Sequence, residues 1–314
     1  MKIVITGALG HIGSRLIRDL PDRFPGAEIV MLDNLATQRY CSLFNLPPQG
    51  RFRFLEADVL TADLATIFTG ASAVVHLAAI TNAEASFKER QRVEQVNFEG
   101  TERVAQACIQ AGAPLILLST TSVYGPLAEV VDEDCGPEEL KPQSPYAESK
   151  LRSEQMLQAL GQEQGLRFVI CRFGTIFGVS AGMRFHTAIN KFCWQAVMGL
   201  PITVWRTALH QYRPYLDLTD AVASLCFIMQ KKLYDNRIYN VVTANTSVDA
   251  IIKIISRFIP DVSIRYVDTE IMNQLSYHVA NQRFRDVGFE YKGELLNGIR
   301  ETLELLKGAS SWWH

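Results

Sequence analysis

Tyr146 and Lys150 stand four positions apart in Ser144-Pro145-Tyr146-Ala147-Glu148-Ser149-Lys150, where a helical pattern begins. That spacing puts the phenol and the ammonium one turn apart on the same helix face. A neighbouring positive charge lowers a phenol pKa from about 10 toward neutrality and makes the oxygen a usable base. Alone, such a pair is common on protein surfaces. Here the apolar run 115–119 delivers a second group, the hydroxyl cluster Thr120-Thr121-Ser122, followed by Val123-Tyr124-Gly125. Thr120 can hold an alcohol while Tyr146 removes its proton, and the hydrogen on the alcohol carbon then leaves as hydride. The Thr121 hydroxyl can equally serve the backbone of a turn.

A hydride needs an acceptor, and the N-terminal segment offers a place for one. Thr6-Gly7-Ala8-Leu9-Gly10-His11-Ile12-Gly13 follows an apolar strand pattern and opens an amphipathic helix. Backbone N–H groups at such a helix start can face a diphosphate with no Cβ in the way. A glycine trio by itself marks only a tight turn; the strand before it and the helix after it point to a dinucleotide site. Asp33 ends the second strand pattern twenty positions after Gly13, where a carboxylate accepts hydrogen bonds from ribose hydroxyls and repels a 2′-phosphate. This selects NAD over NADP, although Asp33-Asn34 is also ordinary turn chemistry. Asp58, next to Val59, is placed to meet the adenine amino group or to cap a turn. Leu77-Ala78-Ala79 supplies small side chains where backbone can approach the cofactor. His11 and His76 read as packed or capping histidines.

The elements that must position these groups follow a repeated pattern. Short apolar runs at 2–6, 28–33, 51–57, 73–77, 115–119 and 166–172 alternate with helical periodicity at 12–20, 63–68, 91–111 and 146–164. Five β-α crossovers in a row predict an α/β fold, a Rossmann-type doubly wound parallel sheet with ligands at its carboxyl edge. After about Phe173 the alternation breaks down. We therefore expect an NAD-binding domain over 1–173 and a smaller mixed α/β substrate lobe over 174–314, with some segments returning to the first domain.

Bulk properties narrow the class. The 314 residues are 48% hydrophobic and 20% charged with a formal net charge of −2, which suits a globular protein and gives no overall field for nucleic acid or an acidic membrane surface. The most apolar stretches fall well short of the roughly 20 residues a membrane span needs, and no secretory leader is evident. The six cysteines are scattered without metal-ligand spacing and read as reduced thiols of a cytoplasmic protein. The acidic run Asp132-Glu133-Asp134 with Glu138-Glu139 reads as a solvated loop rather than a metal site. Trp312 and Trp313 in the tail suggest a packing or subunit contact.

Taken together, these residues resemble the extended short-chain dehydrogenase/reductase family, and within it the nucleotide-sugar epimerase/dehydratase group of UDP-glucose 4-epimerase type. The resemblance rests on TGALGHIG, Asp33-Asn34-Leu35, Asp58-Val59, His76-Leu77-Ala78-Ala79, Asn97-Phe98-Glu99-Gly100-Thr101, Ser119 to Gly125, Tyr146 to Lys150, Arg172 to Gly178 and Arg213 to Asp220. It implies NAD held throughout turnover and a catalytic trio of Thr120, Tyr146 and Lys150. It also implies cofactor contacts from Gly7, Gly10, His11, Ile12, Gly13, Asp33, Asn34, Asp58, Val59, Leu77, Ala78 and Ala79, and from Tyr146 and Lys150, whose ammonium can hold the nicotinamide ribose, with Asn97 supporting the cofactor-side helix. A nucleoside diphosphate sugar would meet Thr81, Thr121, Ser122, Thr175, Asn190 and Arg213. A homodimer pairing through helices 91–111 and 146–164 is a further implication.

Branches of that group differ beside the catalytic threonine. The resemblance associates 4,6-dehydratases with Thr-Asp-Glu, whereas this chain has Thr120-Thr121-Ser122 and no acid for an elimination; the decarboxylases usually keep the glutamate, which is Ser122 here. The expectation is a 4-epimerase acting through a transient keto-sugar. A net dehydrogenase or reductase of an NDP-sugar or small alcohol, similar to short-chain threonine dehydrogenases, stays open, as does a non-catalytic NAD sensor. The family's Arg-x-x-Asn reads Arg172-Phe173-Gly174-Thr175, and the second phosphate-binding arginine is missing from 269–278. Arg184, Asn190 or Arg206 could rebuild that clamp.

Overall fold

A computed structural model describes residues 1–125, 129–268 and 277–309. Seven parallel strands form the central sheet: β1 (Lys2–Thr6), β2 (Glu28–Asp33), β3 (Arg51–Glu56), β4 (Ala73–His76), β5 (Leu115–Thr120), β6 (Phe168–Phe173) and β7 (Ile238–Val241). Their spatial order is β7-β6-β5-β4-β1-β2-β3, so the order reverses between β1 and β4. In an open sheet that reversal opens the crevice where a dinucleotide lies.

Side-chain alternation along the strands builds two separate cores. Ile3, Ile5, Ile29, Met31, Val75 and Val169 point to one face, where Leu16, Ile17 and Leu20 of α1 (His11–Arg23) pack. Val4, Val30, Val74, Leu115, Leu117 and Ile170 point to the other face, against Val104 and Cys108 of α2 (Gly100–Ala111) and Leu157 and Leu160 of α3 (Pro145–Gln164). Runs that are apolar at every position are what a strand covered on both faces requires.

The first six strands match the expected runs within two residues at each end. The helical pattern over 91–111 is not one regular helix. Residues Arg90–Val93 are α-helical, Glu94–Glu99 form a π-helical turn, and α2 follows. The seventh strand comes from beyond residue 174: α4 (Leu218–Lys231) packs on α1's face of the sheet and leads into β7, which pairs with β6. The segment 218–241 thus belongs spatially to the first unit. Among the other C-terminal residues, Phe177, Ile189, Phe192, Ile251, Ile255, Ile299 and Leu303 make a third core, while Val242, Tyr277 and Val279 cluster with Val123, Tyr124 and Val131.

Among the described residues no helix is long and apolar enough to cross a membrane, and no group of His, Cys, Asp or Glu could hold a metal. All six cysteines are free thiols. Trp312 and Trp313 lie outside the described residues.

Candidate active site

The glycine-rich turn is shaped by what packs on it. Gly7 has φ +65°, and a Cβ there would lie 2.6 Å from the Ala78 nitrogen and 2.7 Å from the Leu77 carbonyl carbon. Only glycine tolerates both conditions, and the close approach brings Leu77, Ala78 and Ala79 beside the turn. Gly10 is the N-cap of α1, with no side-chain cap and no acidic residue in the first turn; Ile12 and the buried Gly13 follow. Helix N–H donors are therefore left for an external anion. Asp33 accepts hydrogen bonds from the Leu9 and Leu35 nitrogens, each 3.0 Å away, on different oxygens. Each oxygen keeps a lone pair, so capping and ribose binding are compatible. Asp58 is tied on one oxygen by the Leu60 nitrogen and on the other by the Asn34 amide, both at 2.9 Å, while Val59 packs in the core. This groove fits a dinucleotide.

Both histidines near the turn are structural. His76 is fully buried, with Nδ1 2.7 Å from Thr6 Oγ1 and Nε2 3.1 Å from Thr101 Oγ1. Burial, aided by the charge of Lys150, pushes its pKa down to about 3. His11 Nε2 donates to the Gly178 carbonyl at 2.9 Å, and burial lowers its pKa to about 4. Each is neutral near pH 7.

The π-helical turn has a definite use. Its inner residue Asn97 accepts from the Ile80 nitrogen (2.8 Å) and donates to the Ile80 carbonyl (2.9 Å) and to Ser149 Oγ (3.3 Å). One side chain thus joins the loop after β4, which carries Thr81, to the helix bearing the tyrosine and lysine. π-turns recur where a side chain must be re-aimed at a functional site.

On α3, Ser144 caps the N-terminus by accepting from the Ala147 nitrogen, Pro145 opens the helix, and Tyr146 and Lys150 follow. The Tyr146 and Thr120 side chains face each other, and the Thr120 hydroxyl, which accepts from the Ser122 nitrogen at 3.1 Å, works to lower the phenol pKa. Burial raises the phenol pKa above its ordinary value, outweighing that hydroxyl and the charge of Arg184. This reverses the expected lowering toward neutrality. Lys150 is 3% exposed, and burial pulls its pKa down to about 8 against the opposing charge of Glu154.

Behind Lys150 lies a network that the sequence reading missed. Glu154, 1% exposed, receives Arg172 through Nε at 3.1 and 3.2 Å and through Nη2 at 2.7 Å, and it also accepts from Ser119 Oγ. Arg172 Nη1 donates to the Tyr124 hydroxyl at 2.9 Å, which donates in turn to Asn240 of β7. The signal was available: positions 146, 150 and 154 share one helix face.

The expected substrate residues divide. Thr81 lies at the groove beside Arg184, and Ser122 and Thr175 are exposed at the carboxyl edge. Thr121 is buried and donates its hydroxyl at 3.3 Å to the carbonyl of Phe173 at the end of β6. Arg213 bonds Gln211 at 3.2 Å and Tyr277, whose hydroxyl reaches the Thr121 carbonyl at 3.1 Å. Asn190 is fully buried and spends its amide on the Gly178 nitrogen and the Arg184 carbonyl, so it shapes a loop. Arg206 is exposed beside Asp268 and Tyr266. Most of 269–278 lies outside the described residues.

The sequence model of the NAD dependent epimerase/dehydratase family matches residues 3–241. The chain belongs to that family. NAD is accordingly its cofactor. A trifunctional UDP-glucose 4,6-dehydratase/UDP-4-keto-6-deoxy-D-glucose 3,5-epimerase/UDP-4-keto-L-rhamnose-reductase of Arabidopsis thaliana is 29% identical over 99% of this chain and 48% of that protein. The chain thus spans about half the length of the first curated relatives it matches. A Bacillus subtilis protein described as an uncharacterized UDP-glucose epimerase is 28% identical over 90% of this chain and 88% of its own. Among solved structures, a UDP-glucuronic acid 4-epimerase from Bacillus cereus, in complex with UDP-glucuronic acid and NAD, superposes with a TM-score of 0.89 at 24% identity over 98% of this chain and 99% of that one. This last likeness supports the fold.

Proposed function

We propose that the protein is a nucleotide-sugar 4-epimerase. The observation that carries this reading is the hydroxyl pair at Tyr146 and Thr120, with Lys150 one turn below and no carboxylate at positions 121 and 122. Thr120 holds the sugar hydroxyl and Tyr146, facing it, takes the hydroxyl proton. Lys150, whose proton the charge of Glu154 favours against burial, stands one turn from the phenol on the same helix face, where a positive charge offsets the burial cost of a phenolate. NAD, when bound, would supply the hydride acceptor for oxidising the sugar carbon and the hydride donor for reducing the ketone from its other face. Tyr146 then gives the proton back to the new alkoxide. Dehydration would need an acid and a base acting at neighbouring carbons; Thr121 and Ser122 offer hydroxyls there, and Thr121's is committed to Phe173. Arg213 suits the substrate's diphosphate.

The test incubates purified protein with UDP-, GDP- and CDP-sugars and separates the products. Interconversion of C4 epimers with no net absorbance change at the NADH band is expected, and Tyr146→Phe lowers kcat by at least about 100-fold. Steady NADH release would favour a net dehydrogenase, and a 4-keto-6-deoxy product would show a dehydratase. Either replaces the epimerase reading. Full activity in Tyr146→Phe would remove the tyrosine from the chemistry.

A further inference from the structure

Two arginines converge on the N-terminus of α1 from separate loops. A Cβ placed on Gly10 would lie 3.8 Å from Arg184 Nη2 and 3.9 Å from Arg39 Nη1. Arg39 lies in the turn after β2, and Arg184 precedes the helix Ala188–Val197. Arg184 Nη1 donates to Thr81 Oγ1, but Arg184 Nε and Arg39 Nη1 are buried and have no hydrogen-bond partner among the described residues. Their charges repel each other, with Asp33 as the shared acidic neighbour. The Asp33 oxygens already serve Leu9 and Leu35. A buried, incompletely bonded guanidinium is costly, and two of them over an uncapped helix start leave an excess of positive charge. A dianion with several acceptor oxygens would satisfy all three.

The loops that carry the arginines are fastened across the glycine-rich turn. His11 Nε2 donates to the Gly178 carbonyl at 2.9 Å, Ser180 Oγ to the His11 carbonyl at 2.9 Å, and the Gly182 nitrogen to Ser14 Oγ at 2.9 Å. Gly182 sits so tightly that a Cβ would fall 2.3 Å from the Leu9 carbonyl oxygen. On the other side Ser42 Oγ donates to that same oxygen at 2.8 Å, and Cys41 Sγ to the Ala181 carbonyl at 3.2 Å. A strap over 178–184 and the turn 39–42 therefore meet each other and the turn.

We propose that Arg39 and Arg184 close on the NAD diphosphate from two sides, and that the strap over 178–184 keeps the cofactor from exchanging during turnover. The inference rests on NAD as the cofactor, not on which sugar reacts. It goes beyond the glycine-rich turn, whose main-chain donors serve any Rossmann dinucleotide site, by assigning two side-chain cations and a mechanical fastening. Held this way, NAD keeps the hydride it has taken until the rotated ketone accepts it back.

The experiment compares wild type, Tyr146→Phe, Arg39→Met, Arg184→Met and Gly182→Ala. NAD per purified chain is measured after acid release, and affinity for adenosine and for ADP-ribose is measured on NAD-stripped protein. The expected result is that each arginine variant loses ADP-ribose affinity by roughly 10- to 100-fold, the worth of a charge-assisted hydrogen bond, with adenosine affinity unchanged. Gly182→Ala should shorten NAD residence, and Tyr146→Phe should keep its NAD. The stripped arginine variants should melt no lower than stripped wild type, because an unpaired buried cation has been removed. Equal losses for adenosine and ADP-ribose would mark general damage to the site and overturn the proposal. So would wild-type NAD content and ADP-ribose affinity with loss only of NDP-sugar binding, which would assign Arg184 to the substrate. None of these readouts depends on epimerase turnover, so failure here is distinct from failure of the 4-epimerase reading.

Discussion

Replacing Glu154 by glutamine should change both the stability of the protein and the pH at which Tyr146 and Lys150 work. Glu154 and Arg172 are 1% and 2% exposed and joined by three nitrogen–oxygen contacts between 2.7 and 3.2 Å. Removing one partner of a buried pair strands the other and costs about 3–5 kcal/mol. The second effect acts on Lys150, whose pKa of about 8 is already held up by Glu154 against burial. Residues at this spacing have Cβ atoms about 6 Å apart. At an effective dielectric near 20 a unit charge there contributes roughly 3 kcal/mol, or about 2 pKa units. Neutralising Glu154 therefore lowers the Lys150 pKa further. The alkaline limb of kcat/KM, where Lys150 loses its proton, should move to lower pH by about 1–2 units. Ser119→Ala, which removes a hydrogen bond but leaves the charge, should cost about 1 kcal/mol and leave the limb in place. Urea unfolding and a pH–rate profile measure the two effects. A Glu154→Gln profile that superposes on wild type, in protein shown to be destabilised, would refute the electrostatic reasoning and leave Glu154 a packing role alone.

Two other substitutions probe the cofactor turn and its support. Gly7→Ala places a side chain at φ +65° and 2.6 Å from the Ala78 nitrogen, so it should lose at least about 1–2 kcal/mol together with bound NAD, read by thermal melting and nucleotide content. His76 carries a folded pKa of about 3, depressed below its unfolded value near 6.5. The unfolded chain binds the extra proton, so the stability is present in full above pH 6.5 and is lost progressively as pH falls toward 3. Between pH 6.5 and 4.5 the loss should approach about 2.7 kcal/mol, measured as a shift in urea midpoint. His76→Gln should be less acid-sensitive over that interval, whatever its stability at pH 7.

What the sequence made legible follows from the range of the interactions. The inner strands were readable because a strand buried on both faces must be apolar at nearly every position, as Ile3, Val4 and Ile5 illustrate, and the edge strand β3 because Phe52 and Phe54 alternate with Arg51 and Arg53. Gly7 and Asp33 were readable because the turn and strand end that demand them are local. The π-turn at Glu94–Glu99 escaped notice because its cause is Asn97 reaching the backbone of Ile80, a tertiary contact that leaves helical periodicity nearly intact. Arg184 was named only as a replacement for a substrate arginine, since nothing local to 178–187 reveals that it returns to Gly10. Asn190 looked like a ligand-facing polar residue, but its amide completes the backbone bonding of that loop. The phenol pKa was misjudged because charge was counted and burial was not.

The late arrival of β7 bears on how the chain reaches this structure. The β6–β7 edge joins residues up to 68 positions apart, as in the Phe168 nitrogen bonding to Asn236 Oδ1. Part of the C-terminal lobe, including Phe177, Ile189, Phe192 and Tyr215, is spelled out in the interval between them. Closing so long a loop costs entropy before any contact repays it, and folds dominated by such pairings form slowly. A fragment ending near residue 173 would expose β6, apolar but for Arg172, as an unpaired edge, the kind that recruits other chains. It would also lack Asn240, the outer anchor of the Arg172–Tyr124 network. The parallel sheet and the C-terminal lobe are therefore expected to unfold in one transition, and limited proteolysis near residue 174 should release aggregating material rather than a stable N-terminal core.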